Sequence, residues 1–276
     1  MNVSLRRPAF GEWLSIVGSG QDRLSPMARR APRKEQERAS TGGVAPSNEL
    51  FAALPARERA RLLAACTEVN LVLGAVLHER CDRIRFVYFP TTSFISLIQT
   101  VDWHSSLEVG MIGAEGMCGH ALILGGKVAL LRALVQGGGR AWRMDAATFR
   151  RHLKNSPALR RLLGLYVNVL VAQLAQTVAC TRFHVVEKRL ARWLLMTQDR
   201  AHGDVFEVTQ EFLSFMLGVR RVGVTAAAGV LQARKMIRYK RGSMTILNRR
   251  ALKAAACACY RSDRNTYDRE IRAAYL

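Results

Sequence analysis

The period of the apolar positions divides the chain into blocks. Residues 1–46 mix arginine, proline, glycine and serine without a sustained period, apart from Phe10, Trp13, Leu14, Ile16 and Val17, and read as a disordered basic arm. Ordered structure is expected from Ser47, where Asn48–Leu54 and Arg57–Cys66 resemble short helices divided by Pro55. From Val69 to Met144 the runs become short: Val72–Leu77, Ile84–Phe89, Phe94–Ile98, Leu107–Ile112, Leu130–Val135 and Ala141–Met144. Near-even spacing of such runs predicts an antiparallel barrel or roll over 47–155. Gly137-Gly138-Gly139 stands between two of them and reads as a turn rather than a phosphate cradle.

Helical period returns at Ser156, a capping residue followed by Pro157 at the first helical position. Leu159, Leu163, Tyr166 and Leu170 follow at 4-3-4 spacing, the seam of a two-fold dimer along a helix over 156–182 or a stripe packed on the chain's own roll. A further helix, Val185–Met196, places Val186, Leu190, Trp193 and Leu194 on one side. Val208–Leu231 then reads as two short helices joined by a tight turn. Thr209 caps the first, Phe212, Leu213, Met216 and Leu217 form its apolar face, and Gly218 supplies the turn. The second buries Val224, Ala228 and Leu231 and leaves Arg221, Val222, Thr225, Ala226 and Gly229 outside. Two short strands around a glycine, Ile237–Leu247, carry cations on the first arm, which makes the unit a winged helix-turn-helix over 183–260, with 261–276 as a tail. A slim helix face headed by an arginine suits the major groove, where a guanidinium reaches guanine O6 and N7.

Charge sharpens this picture. The 276 residues are enough for two domains, and the net charge is +21, with 19 basic and 8 acidic residues from position 181 onward. A field of that sign attracts nucleic acid or an anionic surface, with strong salt dependence. No run of about 18 apolar residues and no leader pattern stands out, so neither a membrane span nor a secretory signal is expected and a cytoplasmic location is. Cys66, Cys81, Cys118, Cys180, Cys257 and Cys259 are scattered. Cys257 and Cys259 fall in an alanine-rich segment read as helical, where positions i and i+2 diverge, so no metal site is expected there or at Cys118 with His120. No Ser/His/Asp, paired-carboxylate, Walker or HExxH pattern marks an enzyme.

The order of roll, long helix, short helix and winged helix-turn-helix resembles the Crp/Fnr family of bacterial transcription regulators over Ser47–Tyr260, most specifically along Val208–Leu231, which aligns without gaps. The resemblance implies an α+β fold: an N-terminal antiparallel β-roll like a cyclic-nucleotide-binding domain, a long dimerisation helix, and the winged unit. It implies that Arg221 reads a base, that Thr209 meets phosphate and that Gly218 is the turn glycine. Arg220, Val222 and Ala226 depart from the serine, glutamate and second arginine frequent in the family, so the operator is not inherited. Gly113–Gly119 resembles the glycine-rich turn of the nucleotide pocket, giving Glu115, Gly116, Gly119, His120 and Arg132 as effector-pocket candidates. His120 stands where cyclic-AMP binders have glutamate, and Ala129-Leu130 where they have their phosphate-holding pair, with Arg132 nearby as a substitute. No clustered N-terminal cysteines support an iron-sulfur branch, and His78, His104 and His120 are unranked as haem ligands.

The expected protein is a homodimeric DNA-binding regulator without cofactor, its effector unidentified. Thr209, Arg238, Lys240 and Arg241 would meet phosphate, and Arg220, Arg221 and Thr225 would meet bases. Its partners would be double-stranded DNA, a second copy and, as an open option, RNA polymerase, with no membrane. The alternative is a small-molecule or cyclic-nucleotide binding module whose last domain contacts protein.

Overall fold

A computed structural model describes residues 48–101, 106–201 and 203–273. The arm over 1–46, Ser47, His104 and the last three residues of the expected tail lie outside the described residues.

Two short helices, α1 (Glu49–Ala52) and α2 (Ala56–Ala64), precede the strands; the Asn48 side chain caps α1 and donates to the carbonyls of Pro90 and Gly116. Seven strands follow: β1 (Thr67–Leu71), β2 (Val76–His78), β3 (Phe86–Pro90), β4 (Phe94–Thr100), β5 (Ser106–Ile112), β6 (Arg132–Gly137) and β7 (Gly139–Asp145). They form two antiparallel sheets, ordered β1-β7-β3 and β2-β6-β4-β5, with Leu71, Ile95, Leu97, Ile112, Ala133, Val135 and Ala141 buried in one cluster. This is the expected roll. The run at Val72–Leu77 straddles a turn at Gly74 between β1 and β2, because β1 shows too few apolar residues to signal itself. Gly138 is the turn between β6 and β7, as expected.

Helix α3 (Ala146–Asn155), capped by Asp145, leads to α4 (Pro157–Phe183), whose first turn is closed by the Ser156 hydroxyl accepting from the Leu159 amide. Here one expectation is corrected. Leu159, Leu163, Tyr166 and Leu170 are 0–4% exposed within the single chain, packed with Phe89, Met117 and Phe149 of the roll or with Ile112, so they are not free to form a dimer seam. A second stripe, Val167, Val171, Leu174 and Val178, repeats the 4-3-4 spacing and keeps Val171 and Val178 at 58% and 66% exposure. Residues 162–181 of α4 contain no charge, and the helix is long and apolar enough to cross a membrane, contrary to the reading that no such run exists. Two neighbouring apolar stripes, offset by about 80° around one helix, account for that composition.

Helix α5 (Val186–Ala201) opens the last domain and is buried along Arg189–Thr197. Then come β8 (Val205–Glu207), α6 (Gln210–Leu217), α7 (Arg221–Ala233), β9 (Ile237–Lys240), β10 (Ser243–Ile246) and α8 (Arg249–Ala255), with the strands ordered β8-β10-β9. Leu190, Leu194, Leu213, Val224, Leu231, Ile237, Met244 and Leu252 make the core, joined by Phe94, Ile98 and Met111 from the roll.

The segment read as a tail is ordered over 261–273. It forms most of α9 (Cys259–Tyr267) and a π-helical turn, Asp268–Arg272, which return to the roll. Tyr267 and Ile271 are buried there, and Arg272 pairs with Glu49. The pattern was missed because this segment is strongly polar, with Tyr260, Tyr267 and Ile271 as sparse apolar positions among charged residues.

Candidate nucleic-acid interface

The Thr209 hydroxyl accepts from the Phe212 amide and closes the first turn of α6. Gly218 ends α6 in the left-handed region (φ +59°), where an L side chain is strained, and the chain bends by 106° into α7. Leu213, Met216 and Leu217 anchor α6, while Val224, Ala227, Ala228 and Leu231 anchor α7. What remains outside on α7 is Arg221, Val222, Thr225, Ala226 and Gly229, all exposed, with Arg220 exposed just before it. Val222 is 79% exposed, a figure that excludes packing of this side within its own chain. The Thr225 hydroxyl reaches Gln210 Oε1 at 2.9 Å, tying the two helices together on the open side.

The wing lies beside this face. Strands β9 and β10 pair Lys240 with Ser243 around Arg241 and Gly242, both at positive φ, the geometry of a tight hairpin turn. Tyr239 fixes the hairpin to α6 and α7: its hydroxyl donates to the Val208 carbonyl (3.0 Å) and its amide donates to Gln232 Oε1 (3.0 Å). Arg238, Lys240 and Arg241 are exposed, and Arg220, Arg221 and these three form no ion pair among the described residues. Five exposed cations without ion pairs among the described residues thus belong to the start of α7 and to the wing.

The effector-pocket candidates do not converge. Glu115 turns toward the last domain and pairs with Arg200 at 2.6 Å. Gly116 lies under Tyr166, whose hydroxyl would be 2.5 Å from an added Cβ, and Gly119 packs on Val87. His120 is half-buried at the start of a 3₁₀ turn, His120–Leu124, where desolvation and then the neighbouring His78 push its pKa down to about 4. Arg132 is buried and already paired with Glu79 (3.3 Å), so it does not replace a phosphate-holding pair, and at that pair's position Ala129 is bonded by its backbone to Cys81 and Asp82. A cavity of about 240 Å³ opens beside Glu115, between α4, α5 and α9. Glu115, Tyr166, Arg200, Asp263, Tyr267 and Arg272 line it.

Roll and last domain also meet through a buried polar group. The Ser96 hydroxyl lies 2.5 Å from Glu108 Oε2 and against Gln136 Oε1, and Gln136 Nε2 reaches Thr197 of α5 at 3.5 Å. Desolvation raises the Glu108 pKa to about 7, against the lowering influence of Ser96, Arg200, Arg192 and Trp193.

Residues 188–255 match the Crp-like helix-turn-helix domain. The fold is that of the Crp/Fnr regulators. FixK2 from Bradyrhizobium japonicum superposes with a TM-score of 0.59 at 13% identity, covering 70% of this chain and 98% of that one. The c-di-GMP-responsive regulator CLP of Xanthomonas campestris gives 0.58 at 14%, covering 70% and 99%. A transcriptional regulator of the CRP/FNR family from Thermus thermophilus gives 0.57 at 19%, covering 69% and 98%. No curated protein matches by sequence. The α+β architecture of roll, long helix and winged unit is as the sequence implies, and the exposed side of α7 is the face that the resemblance assigns to DNA.

Proposed function

We infer that the protein is a sequence-specific, DNA-binding transcription regulator of Crp/Fnr type that acts as a homodimer. The observation that carries this reading is the outward face of α7, with Arg221 exposed, unpaired among the described residues and set between small side chains. Arg221 reads a base edge, with Arg220 and Thr225 beside it; Thr209, at the α6 N-terminus, and Arg238, Lys240 and Arg241 of the wing hold phosphate. The second α4 stripe, Val167 to Val178, is the seam in place of the buried one, and two-fold pairing sets the recognition helices about 34 Å apart. A cytoplasmic location and contact with RNA polymerase belong to the same proposal.

Signal transmission follows from the contacts between roll and last domain. The glycine-rich turn holds Arg200 through Glu115, and β5 holds α5 through the Glu108 cluster. A ligand that moves the turn changes the position of α5 and with it α7, a shift between two packings of one interface. The pairing of Arg132 with Glu79 leaves a cyclic phosphate without its anchor, which argues against cyclic AMP as that ligand.

The test is Arg221→Ala on an operator selected from genomic DNA. Specific binding should weaken by about 1–3 kcal/mol while binding to random DNA stays nearly unchanged. Equal loss on both would reduce Arg221 to a phosphate contact.

A further inference from the structure

Four side chains that the DNA-binding surface does not use converge at the foot of α4. Cys180 and His184 stand one helical turn apart at its C-terminal end, and Cys257 and Cys259 come from the junction of α8 and α9. The helical reading of the Cys257 segment fails because the chain leaves helix at Ala256, so both thiols turn inward instead of diverging around one axis. The four ligand atoms lie within 4.8 Å of one another: Cys180 Sγ to Cys257 Sγ is 3.5 Å, and Cys259 Sγ to His184 Nδ1 is 3.5 Å. The three cysteines are buried and form no disulfide.

We propose that Cys180, His184, Cys257 and Cys259 form a mononuclear tetrahedral site for a borderline-soft divalent cation, zinc by preference. A tetrahedron with metal–sulfur bonds of about 2.3 Å and metal–nitrogen bonds of about 2.0 Å has edges of about 3.5–3.8 Å, which the two 3.5 Å pairs match and which the whole set, within 4.8 Å, reaches by a small inward movement. An iron-sulfur cluster places metal and sulfide between ligands of different irons and holds them farther apart, so the compact group fits one ion. Three thiolates and a neutral imidazole around a divalent ion leave one negative charge. Arg192 and Arg189 of α5 face it with positive charge, and Gln176 Nε2 donates to Cys259 Sγ at 3.0 Å, a hydrogen bond that orients a ligand from outside the coordination sphere. Binding would release the thiol protons.

The position suggests what the ion does. The ligands bracket the helix-turn-helix domain, Cys180 and His184 before residue 188 and Cys257 and Cys259 after residue 255, so one ion would clasp both ends of the domain to the base of α4. Arg189, beside the site, donates to the Leu217 carbonyl at the end of α6, directly before the turn into α7. The clasp would thus hold the DNA-reading helices on the long helix, a role that does not depend on the identity of the operator.

The test uses the full chain, purified under reducing conditions without chelator. Metal analysis should find about one zinc per chain, and cobalt(II) titration should give the ligand-field absorption of a tetrahedral site with thiolate-to-cobalt charge transfer. C257S/C259S should lose both, whereas C66S, remote from the cluster, should keep both. Chelation of the wild type should lower the melting temperature by more than about 5 °C, reversed by zinc, which keeps the proposal testable if the double variant does not fold. Reduced thiols that take up no cobalt would overturn the proposal. So would a Cys180–Cys257 disulfide in non-reducing peptide mapping of metal-free protein, or acid-labile sulfide in the purified chain.

Discussion

At the scale of single residues, the sharpest consequences come from buried charge. Glu108, on β5, faces α5 with its carboxyl accepting from Ser96. Its pKa is raised in the folded chain to about 7, above the ordinary carboxylate value, so the fold holds a proton that the unfolded chain releases. The stabilisation is fully present below about pH 4.5, falls as the pH rises toward 7, and is gone above it. Denaturant titrations should show stability declining by up to about 1.4 kcal/mol per pH unit within that window. Glu108→Gln should flatten that decline, and an unchanged slope would assign it to other groups. Arg221 presents the opposite case, a cation left in water, exposed on α7 without an ion pair among the described residues.

At the scale of elements, α4 carries two heptad-like stripes that differ only in what covers them. Leu159, Leu163, Tyr166 and Leu170 are covered by the chain's own roll; Val167 and Leu174 are half-buried and Val171 and Val178 are exposed, along the seam proposed above. Spacing alone favours neither, since both repeat at 4-3-4. Val171→Asp should yield monomers in sedimentation velocity with the near-ultraviolet signature of the fold retained. Leu163→Asp should instead unfold the roll, because it buries a charge in a core position that is 0% exposed. A dimer that survives Val171→Asp would move the seam elsewhere. The helix-turn-helix was legible for a reason that does not hold for the open stripe of α4: its cap, its glycine and the inward Val224, Ala228 and Leu231 are local signals that agree with one another.

For the whole molecule, roll and last domain are joined rather than tethered. Arg200 is largely buried and has Glu115 as its carboxylate partner at 2.6 Å. Burial makes the pair's removal costly from one side only. Glu115→Ala should destabilise the chain by about 3 kcal/mol, measured by chemical denaturation, whereas Glu115→Ala with Arg200→Met should recover most of the loss. Equal instability of the single and double variants would show that the contact matters for its shape and not its charge. The returning α9 adds a third link, through the Arg192–Asp263 pair (2.6 Å) and the buried Tyr267 and Ile271. These contacts join the roll to the domain that carries α7 at several points.

The sequence by itself determined what depends on neighbours along the chain. Period-2 and period-3.6 runs set the order of strands and helices, Ser156-Pro157 and Thr209 set two helix starts, Gly218 set the turn, and the cationic last third pointed to an anionic partner. Tertiary structure decided everything that depends on which surfaces meet. It covered one stripe of α4 and exposed another, and turned Glu115 away from the roll toward Arg200. It spent Arg132 on Glu79 and folded the polar residues after Tyr260 back onto the roll. It also gathered Cys180 and His184 with Cys257 and Cys259, where an i, i+4 Cys–His pair and a Cys-x-Cys were the only hints in the chain. The physical reason is the same in each case: local propensity is written in adjacent residues, whereas burial and ligation are properties of pairs whose separation in sequence carries no signal until the chain has folded.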